Sequence, residues 1–329
     1  MPRKPVFWAF GLTLCLTAVP SVVRDTFYLR ILTEAVMWIG LAITWDVLAG
    51  YTGYLNFGHG AFFGLGAYTT AILMMKAGWP FAAAVAAGGV LAAFAALLAG
   101  IPTLRLKGAY FAIATWALAR AVQQIALILD ITGGPDGMRL PPFLHPQFFY
   151  YVMLGITAGV FFILWFLLES APFGLKVKAI RENEEGAMAS GLNPTRIKIQ
   201  AFILSACPAG ILGGVYAYWI TYIDPASTLG DLVTDQAVVM AVFGGLGTLI
   251  GPALGAVVLF SFKTYFWAYL SDYQVLYLII LGALIAFSVV FLPDGLWGSI
   301  LSLTSARSAS LLKWPKRGSE PKSQENTHA

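Results

Sequence analysis

Two groups of polar residues interrupt an otherwise apolar chain. The first is Asn56 and His59, inside the stretch Gly50–Tyr68 (GYTGYLNFGHGAFFGLGAY), where glycine recurs at positions 50, 53, 58, 60, 64 and 66. A helix that starts here offers unpaired backbone N–H groups and a positive dipole end to a carboxylate. Glycine lets helices approach closely and lets backbone open beside a cavity. Asn56, His59, Gly60, Gly64 and Gly66 are therefore candidates for a substrate path. The competing reading makes Asn56 a helix cap and His59 a group bonded to a neighbouring carbonyl. Both stay open. The second group lies in Glu169–Ile199 (ESAPFGLKVKAIRENEEGAMASGLNPTRIKI), the longest charged, helix-forming stretch between the two ends of the chain. Either it rests on the membrane as an amphipathic helix, or it receives force from a soluble partner.

Bond-making chemistry has no carriers. The three histidines are His59, His145 and His328, and no Ser-His-Asp, His-Glu-x-x-His, paired-carboxylate or Walker arrangement occurs. The residues point to binding and movement, not to an enzyme, and no cofactor is expected in this chain. No nucleic-acid partner is expected either.

The elements that must position these residues are membrane spans. Of 329 residues 59% are hydrophobic and only 11% are charged, against about 25% charged in soluble domains. The fold class read from this is all-α, a polytopic helical membrane protein, because apolar runs near 20 residues without alternation do not suit a barrel. Ten spans are expected, near Val6–Val23, Leu32–Ala49, Phe57–Met75, Phe81–Ile101, Ala109–Leu129, Phe149–Leu168, Ala201–Ile220, Gln236–Ile250, Ala253–Leu270 and Val275–Leu292. The first could pass for a signal peptide, but Arg24-Asp25-Thr26 offers no small-residue cleavage site, so it is kept as a span.

Basic residues set the orientation. With the N-terminus inside, Arg3, Lys4, Arg105, Lys107, Lys176, Lys178, Arg181, Arg196, Lys198 and the basic residues of the tail face the cytoplasm, and only Arg24, Arg30, Lys76 and Arg139 face out. The expected topology is N-in, C-in. Trp79, Trp219, Trp267 and Trp297 fall near span ends as interfacial anchors. Cys15 and Cys207 lie in apolar runs and read as small buried hydrophobes. Residues 1–303 are expected to form one transmembrane domain. Residues 304–329 read as a disordered cytoplasmic tail, with binding to anionic membrane lipid a weaker alternative.

Phe62–Gly66 (FFGLG) in the third span and Phe243–Gly247 (FGGLG) in the eighth resemble each other. Both are third in their half, which suggests an inverted 5+5 repeat; chance in a Gly- and Phe-rich chain is the other explanation. Gly244, Gly245 and Gly247 are thus further path candidates, as a gate or as a tight turn before Pro252. In the charged stretch, helix formers run from Phe173 to Ser190, Gly191 is a helix stop, and Asn193-Pro194 reads as cap and first turn of the next helix.

The motifs in combination resemble a known family. Glu185-Gly186-Ala187-x-x-x-Gly191 is similar to the E-A-A-x-x-x-G loop by which ABC importer permeases contact their ATPases, with Gly186 in place of the first Ala and no downstream Leu-Pro. Lys178–Glu184, Leu55–Tyr68, Thr132–Gly137 and Gly244–Pro252 look like LivM-type permeases of branched-chain amino acid ABC importers, in order and at family spacing over about residues 32–296. Position 56 is often Ser in that family. The resemblance implies a bacterial cytoplasmic (inner) membrane location and import of leucine, isoleucine and valine. It implies three kinds of partner: a second homologous permease, two cytoplasmic ATP-binding subunits that use ATP and Mg, and an external substrate-binding protein. Lys178, Arg181, Glu182, Glu185 and Gly191 would then couple to the ATPases. Permeases for urea and short amides look much alike and remain the alternative. An ion-coupled secondary transporter would place acidic residues at mid-membrane, whereas Glu34 and Asp46 lie near the ends of the second span.

Overall fold

Asp25 opens the first long helix. Its carboxylate accepts the Phe27 N–H at 2.9 Å, and Gly53 closes the helix with φ +79°, a left-handed stop. This helix, α1 (Thr26–Thr52), is followed by α2 (His59–Ala77), α3 (Phe81–Thr103), α4 (Ala109–Ile128) and α5 (Pro146–Trp165). Two short helices come next, α6 (Pro172–Glu182) and α7 (Glu184–Ala189), and then α8 (Pro194–Ile220), α9 (Asp231–Gly244) and α10 (Ile250–Tyr269). The computed structural model describes residues 11, 13–22, 25–269, 282–283 and 295–301. The expected tenth span, apart from residues 282–283, and the tail lie outside these residues, as do residues 6–10, 12 and 23 of the expected first span.

Among the described residues, five helices are long and apolar enough to cross a membrane: Thr26–Thr52, Phe81–Thr103, Ala109–Ile128, Pro146–Ser170 and Pro194–Ile220. α9 stops at Gly244, six residues short of the expected edge, because the glycines of the following turn take up positive φ. The helix α8 is the hub and packs against α1, α2, α3 and α5; α1 also packs against α9 and α10. Trp45, Phe63, Phe149, Tyr150, Phe202 and Leu212 fill the core between them. The outer faces of α3 and α5 stay apolar and exposed, with Val90 and Ile163 more than half accessible, as lipid contact requires.

Close packing at the hub depends on glycine. A Cβ on Gly66 would run into the backbone carbonyl of Gly210, so α2 and α8 touch backbone to backbone. The two segments paired as a repeat differ locally. Phe62–Gly66 lies wholly inside α2, in its first half, whereas Phe243–Gly247 spans the end of α9 and a turn.

Three smaller expectations change. Met138 and Arg139 pair antiparallel with Ile223 and Tyr222, a small strand pair that joins two loops at one end of the bundle. Trp219, on α8 itself, is 9% exposed and packs in the core rather than standing as an anchor. Cys15 is exposed and Cys207 partly buried; both are free thiols.

Candidate functional site

The loop 53–58 delivers Asn56 and His59 to the start of α2, where both are fully buried. The helix start is not bare. Asn56 Oδ1 accepts the Gly58 N–H at 2.9 Å, Thr115 takes the Phe57 N–H at 3.2 Å, and Thr234 takes the Gly60 N–H at 2.8 Å. Side chains from α4 and α9 thus close the donors that a carboxylate was expected to use. The Trp45 indole fixes the Asn56 carbonyl at 2.7 Å. His59 Nε2 lies 3.1 Å from the Thr44 hydroxyl, and that hydroxyl donates to the Leu41 carbonyl at 2.9 Å. Its oxygen therefore accepts from the ring, which puts the proton on Nε2.

Two polar atoms here have no partner within the described chain: Asn56 Nδ2, a donor, and His59 Nδ1, an acceptor. Buried polar atoms are seldom left so. Asn56 lines a groove of about 330 Å³ between α2, α3, α4 and α8. Thr115 lies beside it, and Phe62, Leu65, Leu98, Ala119 and Phe202 supply apolar walls.

The charged segment forms the second half of the site. α6 and α7 meet at Asn183, whose extended backbone breaks the helix and whose side chain accepts the Gly186 N–H at 2.9 Å. Gly191 has φ +83° and ends α7, and Asn193 caps α8 at 3.1 Å with Pro194 in its first turn. Lys178 binds both oxygens of Glu169, at 3.1 and 2.9 Å, and Tyr51 of α1 donates to the same carboxylate at 2.8 Å. Glu182 is exposed. Glu185, 82% exposed, lies 3.8 Å from Lys107. A pair this open contributes little to stability.

Lys198 is the buried anchor of this segment. Only 2% exposed, it spends its three ammonium protons on Glu184 at 2.8 Å, the Tyr54 hydroxyl at 2.8 Å and the Leu104 carbonyl at 3.2 Å. Burial pushes the Glu184 carboxyl up, but hydrogen bonds from Lys198 and Tyr54 outweigh it and hold the group below the usual carboxylate range.

The two halves meet at Asp46. Both its oxygens accept the Gly247 N–H, at 3.0 and 3.1 Å, and the side chain is fully buried. Gly247 has φ +76°, and a Cβ there would strike the Arg181 guanidinium. Arg181 itself donates to the Gly50 carbonyl. Two residues of α1, Asp46 and Gly50, the turn that joins α9 to α10, and the end of α6 are thereby tied together. Gly244 ends α9, and Gly245 (φ +119°) opens the turn. Asp46 lies two turns inside α1, deeper than its sequence position suggested. Its role, like that of Lys198, was hidden because the partner is distant in sequence.

The comparisons agree with this architecture. The family model for "Branched-chain amino acid transport system / permease component" matches residues 27–289. The chain is 30% identical to the LivM permease of Salmonella typhimurium over 299 residues, 81% of this chain and 69% of that protein. Against LivM of Escherichia coli K12 it is 29% identical over 327 residues, 89% of this chain and 75% of that one. The LivH permease of Escherichia coli K12 is 24% identical over 285 residues, 78% of this chain and 90% of LivH. No solved structure matches. The match runs from the start of α1 past the end of α10, over every element described above, and the chain belongs to the family of permease components of branched-chain amino acid transport systems.

Proposed function

We propose that this chain is the membrane permease subunit of an ABC importer for branched-chain amino acids. It pairs with a second permease in the inner membrane, is fed by an external binding protein, and is driven by two cytoplasmic ATP-binding subunits. It hydrolyses nothing itself. The observation that carries the reading is the junction of Asp46, Gly247, Gly50 and Arg181. It gives a cytoplasmic helix a rigid hold on both α1 and the α9–α10 turn. A push on α6 and α7 would reach α1 through Arg181 and α8 through the pair of Glu184 and Lys198. Alternating access needs such transmission from the inner face to the spans.

The LivM and LivH names of the relatives support both the ligand and the pairing. The apolar walls of the groove beside Asn56 suit an aliphatic side chain better than urea. Asp46 is engaged by a backbone N–H within the fold, which argues against a carboxylate kept free for a coupling ion.

The test is uptake by the full complex in proteoliposomes loaded with ATP, with labelled leucine against labelled urea. Leucine accumulation that depends on both ATPases is expected. Accumulation of urea but not leucine would move the ligand to the amide class, and concentrative uptake by this chain alone would overturn the reading.

A further inference from the structure

α4 carries an ionic group that the path described above does not use. Arg120 pairs with Asp231 at the start of α9 and reaches Gln123 Oε1 at 2.6 Å; Gln123 Nε2 in turn donates to the Pro225 carbonyl at 3.0 Å. Asp235, one turn along α9, is exposed and within electrostatic reach of both charges. The pair is not sealed: the Arg120 and Asp231 side chains are 40% and 27% accessible.

Depth makes this unusual. Arg120 stands eight residues before the end of α4 at Ile128, about 12 Å inside at 1.5 Å per residue. Its helix face carries Ile113 and Trp116 at the i, i+3, i+7 spacing, and Trp116 lies 5.8 Å from the guanidinium. A charged group left open at such depth is expensive against lipid. The face therefore borders water or protein. Within the described residues α4 has a narrow buried stripe of Phe111, Thr115, Ala119, Gln123 and Ala126 and little other cover.

We propose that Arg120 and Asp231 form a zwitterion-binding station on the transport path, facing the second permease, where an amino acid opens the pair and takes its place. The substrate carboxylate docks on Arg120, whose planar fork matches it. The substrate ammonium docks on Asp231, with Asp235 beside it. Every charge keeps a partner throughout, so opening the pair leaves no bare ion. The exposed apolar surfaces of Trp116, Ile113 and Leu232 receive the aliphatic side chain. Urea has no separated charges to offer, so it would strand both residues. The proposal rests on the permease reading and adds the substrate class at one site.

The experiment uses the complete complex, with its second permease, ATPases and binding protein, in proteoliposomes. The double substitution Arg120→Gln, Asp231→Asn keeps a hydrogen-bonding pair without charge. Co-purification of the subunits reads assembly. Labelled leucine uptake is expected to fall at least fivefold, in maximal rate rather than in half-saturating concentration, since the binding protein captures the substrate. A smaller fall overturns the station. If that variant fails to assemble, Arg120→Lys replaces it, because it keeps the charge and removes the fork; unchanged uptake there overturns the proposal. Full rescue by the reversed pair Arg120→Asp, Asp231→Arg also overturns it, as a mere brace tolerates reversal. A wild-type complex that accumulates no leucine would instead sink the permease reading itself.

Discussion

Asp46 and Gly247, two hundred and one residues apart in sequence, meet through both oxygens of one carboxylate and a single backbone N–H, at 3.0 and 3.1 Å. The turn between α9 and α10 hangs on α1 by this contact, and Arg181 reaches the same spot from the charged segment. Replacing Asp46 by Ala leaves the Gly247 N–H buried without an acceptor, which costs about 1–3 kcal/mol. Uptake should be lost in Asp46→Ala, with a lowered unfolding temperature for the purified complex. Full uptake would separate the junction from transport.

Glu184 gives the charged segment a pH dependence. Its folded pKa is depressed, so its bond to Lys198 stabilises α7 above the ordinary carboxylate pKa, and that contribution fades as pH falls through the lower folded value. Hydrogen-exchange protection of Glu184–Ala189, taken against the intrinsic exchange rate at each pH, should therefore fall on acidification below the usual carboxylate range. Lys198→Met should abolish that acid sensitivity. A protection pattern that ignores pH in the intact chain would contradict the assignment.

Asn56 does two things with one side chain, and an isosteric change can separate them. Asn56→Asp keeps the oxygen that accepts from Gly58 and replaces the unpartnered amide nitrogen. Leucine uptake should drop by tenfold or more while helical content is retained. Equal uptake would leave Asn56 a capping residue and nothing else.

Glu185 should matter for partners and not for folding. It is 82% exposed with a loose contact to Lys107, and such pairs contribute about 0–1 kcal/mol. Glu185→Arg should leave the unfolding temperature unchanged and abolish ligand-stimulated ATP hydrolysis in the complex. Stimulation at the wild-type level would remove Glu185 from the ATPase contact.

The crossing of α2 and α8 predicts a packing defect. Gly66→Val drives a branched side chain into the Gly210 backbone, which neither helix can yield. Overpacking of this kind costs about 1–3 kcal/mol or more. Reduced membrane yield and a lower unfolding temperature should follow, even at saturating leucine.

Local rules made much of this legible. Asn193-Pro194 and Gly191 marked the ends of α8 and α7 correctly, because caps and stops depend on neighbouring residues. Apolar length placed α1, α3, α4, α5 and α8 to within a few residues at most edges. The junctions were not legible. Asp46 reads as an ordinary span-end carboxylate until Gly247 is brought to it, and Lys198 reads as a solvated cation until Glu184, Tyr54 and Leu104 enclose it. The groups that close the α2 start, Thr115 and Thr234, come from helices far along the chain. Hydroxyls in apolar runs give no sign of their partner. Asn183 was seen within a helical run, although its side chain already offered the cap that splits it.

That split has a mechanical result. The charged segment has an elbow, and its two arms are fastened to different beams of the bundle: α6 to α1 through Arg181, and α7 to α8 through Glu184 and Lys198. Under the proposed coupling, a single thrust on the segment would be divided into two displacements, with the bend at position 183 setting their ratio. Stiffening the elbow would make both beams move as one.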